Sequence, residues 1–208
     1  MKATIQTLAK TGLALLVASI GATALADAPE YVRVRSISYA GSGCPAGSVA
    51  ENVSMDRQAF TLLFDSYIAE IGPGVPVREK RKNCQILVDL DFPQGWTYTL
   101  ADVDYRGYVS LERGVTGEQS SAYYFQGQGA TARLTTQMRG PKDEDYQIRD
   151  TLGLSAVVWA PCGARRALNI NSQINLTSTN RNASGLITND STDFHLTQVY
   201  NLKWQRCR

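Results

Sequence analysis

Four aspartates on two neighbouring predicted strands are the residues best suited to chemistry in this chain. They form two D-x-D pairs, Asp89 with Asp91 and Asp102 with Asp104. Converging carboxylates could hold Ca²⁺, which takes oxygen ligands, or could serve as the acid and base of glycoside hydrolysis. The simpler interpretation is that all four face solvent and pair with a nearby cation such as Arg106. We favour it, keep Ca²⁺ at Asp102 and Asp104 as a weaker alternative, and predict no catalytic residue and no cofactor.

Two residues directly after the second acidic pair complete this group of candidates. If the protein were a polysaccharide-active enzyme, Asp102 or Asp104 would act with Tyr105 or Arg106. The single histidine, His195, alternates with apolar residues of the last predicted strand and is interpreted as a surface residue. No G-x-S-x-G elbow is present to supply a serine nucleophile beside it. The sequence therefore leans away from an enzyme.

A row of side-chain amides is the second candidate site. Asn169, Asn171, Gln173 and Asn175 alternate with apolar residues, so they share one face of a predicted strand. Sugar-binding sandwiches often present amides with flat aromatic faces, and we take Asn169 and Asn171 as candidate binding residues. An ordinary hydrated sheet face is the simpler interpretation. The tyrosines that could supply rings are Tyr105, Tyr108, Tyr123 and Tyr124.

The amino terminus reads as a secretory signal over residues 1–26. Lys2 and Lys10 precede the uncharged, apolar stretch Thr11–Leu25, which ends in the small-x-small pattern Ala24-Leu25-Ala26. We expect cleavage near Ala26, a single domain over residues 27–208, and secretion to the extracellular space or periplasm. The apolar run is short for a bilayer span, which needs roughly 20 residues, and no later segment approaches that length.

Charge excludes some classes of partner. The chain has 21 Lys and Arg against 19 Asp and Glu, and loss of Lys2 and Lys10 would leave 19 of each. Nucleic-acid binders usually carry a basic face and a high pI, so we predict no nucleic-acid partner and expect an extracellular glycan or a cell-surface protein instead. The basic run Arg78–Lys82 is interpreted as a solvated edge, with a binding patch as the alternative.

Four cysteines remain after cleavage, and the exported state favours two disulfides. Cys44, Cys84, Cys162 and Cys207 allow three pairings, which the sequence alone does not decide. We favour Cys44–Cys84, both in the amino-terminal half, with Cys162–Cys207, which would tie the last strand to the body. Each bond would close a loop of about 40 residues, worth roughly 4 kcal/mol in the chain-entropy model. No CxxC or CxxH spacing supports a zinc site.

The elements that must position these residues are strands. Apolar residues recur with a period of two, and no helical stripe of convincing length appears after the signal. About ten strands with short polar connections predict an all-β antiparallel sandwich or jelly roll. The segments Gly140–Asp145 and Thr179–Asp193 are predicted loops. In a eukaryotic secretory pathway, the sequons at Asn182 and Asn189 in the second loop would be the favoured glycan acceptors.

Two irregularities and one hairpin are predicted in these strands. In Tyr31–Tyr39 the apolar face shifts between Val34 and Ile37, which indicates a bulge or bend. The segments on either side of Pro93-Gln94-Gly95 are predicted to pair as a hairpin, with Leu90 opposite Tyr98. That register would bury Asp102 and Asp104, so we predict a bulge near Ala101 that turns Val103 and Tyr105 inward and the aspartates outward.

Several short motifs, in order along the chain, resemble one known family. These motifs are Gly43-Cys44-Pro45-Ala46-Gly47-Ser48, Arg81-Lys82-Asn83-Cys84-Gln85, Pro93-Gln94-Gly95-Trp96, Asp104-Tyr105-Arg106-Gly107-Tyr108, Tyr123-Tyr124-Phe125-Gln126-Gly127, Gly140-Pro141, Trp159-Ala160-Pro161-Cys162-Gly163, Leu168-Asn169-Ile170-Asn171 and Trp204-Gln205-Arg206-Cys207. The resemblance is to the domain of unknown function 4360 family, a set of secreted fungal and bacterial proteins, and it spans about residues 36–207. It implies secretion and four paired cysteines, and it implies no activity, cofactor or catalytic residue.

Three functional hypotheses follow from these observations. The first is a non-enzymatic extracellular or envelope module with a binding or structural role, of which glycan binding is one version. The second is the polysaccharide-active enzyme that would use the Asp102 and Asp104 region. The third is a secreted effector or inhibitor that binds another protein.

Overall fold

The chain folds into two antiparallel β-sheets, as the all-β prediction requires. This computed structural model describes residues 28–128, 132–151, 159–189 and 196–207. Alternating apolar residues form the strands, and the only helix in these ranges is a 3-10 turn at Val77–Lys80. The strands are β1 Arg33–Ala40, β2 Val49–Val53, β3 Ala59–Phe64, β4 Ile68–Ile71, β5 Arg81–Asp91, β6 Trp96–Leu111, β7 Val115–Phe125, β8 Ala132–Arg139, β9 Lys142–Thr151, β10 Leu168–Ser178, β11 Gly185–Thr188 and β12 Leu196–Arg206.

The two sheets differ in strand order. One has five strands in the order β1-β5-β10-β7-β8. The other has seven and runs β2-β3-β12-β6-β11-β4, with β9 also paired to β6. The chain crosses between the sheets at several short connections, including β6 to β7 and β8 to β9. No helix in the described ranges is long and apolar enough to cross a membrane.

The core lies between the sheets and is built from every second residue of the central strands. In the five-stranded sheet, Ile86, Ile170 and Ile174 have no exposed surface. Val103 and Tyr105 on β6 are equally inaccessible on the opposite side. Alternate residues on each strand consequently point out of the sandwich, and these outer faces carry the candidate sites.

The predicted hairpin between β5 and β6 is wrong, because the two strands belong to different sheets. β5 pairs with β1 and β10, whereas β6 pairs with β12, β9 and β11. The residues predicted to face the core do so: Leu90 and Tyr98 are buried from opposite sheets. Alternation identifies the buried row, but it does not distinguish a partner beside a strand from one across the core.

Both predicted bulges are confirmed. The pairing of β1 with β5 shifts between Val34 and Ser36. On β6, Asn201 pairs with Asp102 while the next residue, Leu202, pairs with Leu100, so Ala101 is the extra residue. Downstream of this bulge Val103 is buried and the aspartates take the outer face, as predicted.

Two predicted loops contain strands. The segment Gly140–Asp145 is largely the start of β9, which pairs with β6 from Leu111 onward. Thr179–Asp193 contains the short strand β11, which lies between β6 and β4. Polar residues such as Lys142 and Asp143 obscure β9, because a sheet face in contact with water needs few apolar side chains. β11 has only four residues, which are too few to show a clear period of two. Most of the strand predicted at Leu152–Trp159 lies outside the described residues.

Both disulfides form with the favoured pairing. Cys44 bonds to Cys84 with a Cα–Cα distance of 5.5 Å, and Cys162 bonds to Cys207 with a Cα–Cα distance of 5.8 Å. The first joins the loop after β1 to β5, and the second joins the segment before β10 to the end of β12. Two such bonds match an oxidising compartment.

Gly107 marks a close approach between strands. A Cβ atom there would lie 2.2 Å from the backbone oxygen of Thr188 and 2.5 Å from the hydroxyl of Tyr146. Gly117, also within a strand, offers a contrast, because its Cβ would meet only Ile187, Leu176 and Leu111 side chains at 3.5 to 3.6 Å. Position 107 therefore has no room for a Cβ atom, whereas position 117 does.

We predict that Gly107→Ala lowers the free energy of unfolding by about 1–3 kcal/mol, since strand β11 and Tyr146 must move to admit the methyl group. Gly117→Ala is the matched control and should change it by less than about 1 kcal/mol. Urea denaturation of both variants measures the difference. Equal values for the two would contradict the proposed steric role of Gly107.

Candidate functional site

The first aspartate pair lies on the outer face of the five-stranded sheet. Both residues alternate with the buried side chains of β5. A carboxylate oxygen of Asp89 lies 3.7 Å from a guanidinium nitrogen of Arg35, and one of Asp91 lies 3.0 Å from Arg165. Each carboxylate thus faces a separate arginine at the surface.

The second pair lies on the outer face of the seven-stranded sheet, between β9 and β12. The guanidinium of Arg149 donates two hydrogen bonds to Asp104, with N–O distances of 2.7 and 2.8 Å. Asn201 donates to Asp102 and also lies 3.4 Å from Asp104. Because these neighbours cover it, the Asp104 side chain is only 10% exposed, which differs from the solvent-facing position we predicted.

Arg149 also sets the protonation of Asp104. The hydrogen bonds from Arg149 and its positive charge lower the pKa of the Asp104 carboxyl. Burial raises this pKa by less, so it stays below its ordinary value. A general acid in glycoside hydrolysis needs the reverse, a raised pKa. The geometry therefore suits an ion pair that joins β6 to β9, and it does not suit proton donation to a leaving group.

The four aspartates do not converge, so the weaker alternative of a shared site is not met. β5 and β6 lie in different sheets, so their outward carboxylates occupy opposite outer faces of the sandwich. Across the parts of the chain that the structure describes, no group of three or more His, Cys, Asp or Glu side chains could hold a metal ion. His195 lies outside those parts.

The candidate residues that follow Asp104 take two different environments. Tyr105 is fully buried in the core, so it cannot contact a ligand at the surface. Arg106 is exposed on the outer face of the seven-stranded sheet. Of the four tyrosines, Tyr123 is also in the core, and the hydroxyl of Tyr108 donates to Asp143. Only Tyr124 shares a face with the amide row.

The amide row lies on the outer face of β10, as its alternation predicted. Asn171 is exposed, while Gln173 and Asn175 are half-buried. Asn169 is only 7% exposed because it lies between Leu87 on β5 and Tyr124 on β7. The accessible part of the row is therefore centred on Asn171 and Gln173.

Strand β5 extends this row into a block of four amides, which we call the amide block. Asn171 pairs with Gln85, and Gln173 pairs with Asn83. The loop after β1 fixes one corner, because the hydroxyl of Ser42 donates to Oδ1 of Asn83 and the amide of Gly43 donates to the Asn83 carbonyl. Pairing between residues so distant in sequence carries no local signal, so the sequence did not reveal this block.

A polar groove of about 300 Å³ contains the amide block. On its other side β7 contributes small residues, Ser120 opposite Gln173 and Ala122 opposite Asn171, which leave the space above the sheet open. Two long cationic side chains, Arg81 and Arg133, also line it. We call this the amide groove; side-chain amides can both donate and accept hydrogen bonds within it.

The basic run that contains Arg81 divides between two roles. Arg78 and Lys82 each contact Glu79, at 2.9 and 2.6 Å. These pairs fit the solvated edge that the sequence indicated. Arg81 begins β5 and lines the amide groove instead.

One of the two loop sequons is inaccessible. Asn189 is 1% exposed, and the hydroxyl of Tyr146 lies 3.1 Å from its side-chain oxygen. A glycan cannot occupy a buried amide, so the expectation for Asn189 is wrong for the folded protein. Asn182 is exposed.

The chain has clear relatives in sequence. A family model described as "Domain of unknown function (DUF4360)" matches residues 30–207. A protein of Arthroderma benhamiae (strain ATCC MYA-4681 / CBS 112371), described as an uncharacterized secreted protein, is 48% identical over 179 residues, which are 86% of this chain and 73% of the relative. The resemblance inferred from the motifs is thereby confirmed.

Two solved structures align with weak overall similarity. The structure of TmCBM61 in complex with beta-1,4-galactotriose covers 84% of this chain and 90% of its own, with 10% identity and a TM-score of 0.26. The enzymatically active domain of bacteriophage CBA120 tailspike protein 4 covers 84% of this chain and 20% of its own, with 12% identity and a TM-score of 0.27. TM-scores this low do not establish a shared fold or function.

We predict that Asp104→Asn removes about 1 kcal/mol of stability at neutral pH, since water around the exposed Arg149 screens the ion pair. The lowered pKa of Asp104 means that the pair stabilises the fold above the unfolded-state pKa and loses this effect as pH falls through the folded-state pKa. Urea unfolding between about pH 6 and pH 2 should show a shallower acid loss in the variant.

Asp89→Asn is the control, because its contact with Arg35 is longer, at 3.7 Å. It should alter stability by less than about 0.5 kcal/mol. An acid profile of Asp104→Asn that parallels the unaltered protein would contradict the role assigned to Arg149.

Proposed function

The chain belongs to the domain of unknown function 4360 family, and from this membership and the amide groove we propose that it is a secreted glycan-binding module that catalyses no reaction. The observation that supports binding is the amide block, in which Asn83, Gln85, Asn171 and Gln173 meet above one sheet. Sugar hydroxyls both donate and accept hydrogen bonds, and so do amides. The groove of about 300 Å³ gives such a ligand a depression to enter.

Secretion has support from two sides. The relative from Arthroderma benhamiae is described as secreted, and two disulfides suit an oxidising space. We propose that residues 1–26 are the signal, that cleavage falls near Ala26, and that residues 27–208 form one domain. Mass spectrometry of the secreted protein's amino terminus would test the cleavage position.

Rigidity suits the proposed binding. The groove is built on strands, and β10 is hydrogen-bonded to β5 on one side and to β7 on the other. The backbone of such a sheet need not reorder when a ligand binds, so the entropic cost is limited to that of the side chains. Three other candidates, Asp102, Asp104 and Arg106, lie on the other sheet's outer face, and we propose no ligand or Ca²⁺ role for them.

We predict that the secreted protein is retained on at least one insoluble polysaccharide or glycan-array ligand, and that Asn171→Ala with Gln173→Ala weakens retention. Each lost hydrogen bond is worth about 0.5–1.5 kcal/mol, so the loss of two should make the double variant bind roughly 5-fold to 150-fold more weakly. Affinity electrophoresis or calorimetry on the retained ligand measures this change.

Gln147→Ala is the matched control, since it removes an exposed strand amide from β9 in the other sheet. It should leave binding unchanged. The proposal fails if no glycan is retained, or if the double variant binds as the unaltered protein does.

A further inference from the structure

The charge inside the amide groove is of one sign. Arg81 and Arg133 line it, and no Asp or Glu is among its lining residues. Both arginines are exposed, and neither pairs with a carboxylate in the described part of the chain. A hydrogen-bonding groove with two unneutralised guanidinium groups has a net positive potential.

Acids elsewhere on the same outer face already have partners. Asp89 faces Arg35, and Asp91 faces Arg165. Glu118 on β7 accepts a hydrogen bond of 2.9 Å from Gln137. Arginines outside the groove therefore neutralise the two aspartates. Glu118 keeps its charge but does not line the groove, so Arg81 and Arg133 remain available for a ligand.

The spacing of the two arginines indicates the size of that ligand. From Arg81 to Arg133 there are three inter-strand steps, about 14 Å, and four residues along the strand direction, about 13 Å. The diagonal between their Cα atoms is about 19 Å. This exceeds one sugar ring, so the guanidinium groups would contact different units of a chain, with the amide block between them.

We propose that the ligand of the amide groove is an anionic polysaccharide, whose uronate carboxylates or sulfate groups are bound by Arg81 and Arg133 while its hydroxyls are bound by the amide block. This inference rests on the proposed glycan binding and adds the class of glycan. Guanidinium groups bind carboxylates and sulfates through paired N–H donors in a fixed geometry. The expected preference for charged glycans therefore depends on hydrogen-bond geometry as well as on charge.

The test compares charged glycans with neutral counterparts that have the same sugar backbone. The secreted protein is titrated with polygalacturonate and with its fully methyl-esterified form, and in parallel with dextran sulfate and dextran. Binding of the charged member of either pair, at least about 10-fold tighter than the neutral one, is expected. The glycan pair that shows this preference identifies the bound group as carboxylate or sulfate. Poly-glutamate, which has charge without sugar hydroxyls, should bind more weakly than the charged glycan.

Variants then locate the site. Arg81→Gln and Arg133→Gln should each lower affinity for the charged glycan about 10-fold and leave affinity for its neutral form unchanged. Arg139→Gln is the matched control, an exposed arginine on β8 that does not line the groove. Raising ionic strength from about 0.1 M to about 1 M shortens the screening length from about 10 Å to about 3 Å and should weaken binding.

Each outcome separates the two proposals. Retention of neutral glycans, sensitive to Asn171→Ala with Gln173→Ala but not to the arginine variants, overturns the anionic class and leaves glycan binding standing. Equal binding of poly-glutamate and the charged glycan shows a polyanion surface and overturns both. The absence of binding to every glycan tested likewise overturns both.

Discussion

The burial of alternate side chains on β10 is the constraint on which the candidate site depends. Leu168, Ile170, Ile174 and Leu176 fill the space between the sheets, and the residues between them must therefore point outward. A slip of one residue would bury the amides and expose the isoleucines, at a cost of several kcal/mol. β5 and β7 are hydrogen-bonded to β10 in long, unbroken registers, so the same constraint sets which of their side chains line the groove.

The two outer faces of the sandwich use their polar groups differently. On the seven-stranded sheet, Asp104 is bound by Arg149 and Tyr108 donates to Asp143, so much of the hydrogen-bonding capacity is used within the protein. On the five-stranded sheet, the small side chains of β7 leave the amides and arginines of the groove accessible. Polar groups satisfied internally stabilise a fold, whereas accessible groups in a fixed array are suited to an external partner.

Local sequence patterns predicted the features that depend on neighbours in the chain. The period of two gave the outward row of β10, and the cost of burying Asp102 and Asp104 gave the bulge at Ala101. Features set by distant pairing were missed or wrong. Nothing near Gln85 indicates that it meets Asn171, and Arg81 resembles the rest of its basic run. The hairpin failed for the same reason, since Leu90 and Tyr98 would both be apolar whether they meet within a sheet or across the core.

The disulfide of Cys84 makes the geometry of the groove depend on the oxidation state of the chain. This residue lines the groove, and its bond to Cys44 holds the loop whose Ser42 contacts Asn83. A newly made chain in a reducing environment lacks that tether, and one corner of the amide block is then held by hydrogen bonds alone. Formation of the Cys44–Cys84 bond would thus fix this corner of the amide block covalently.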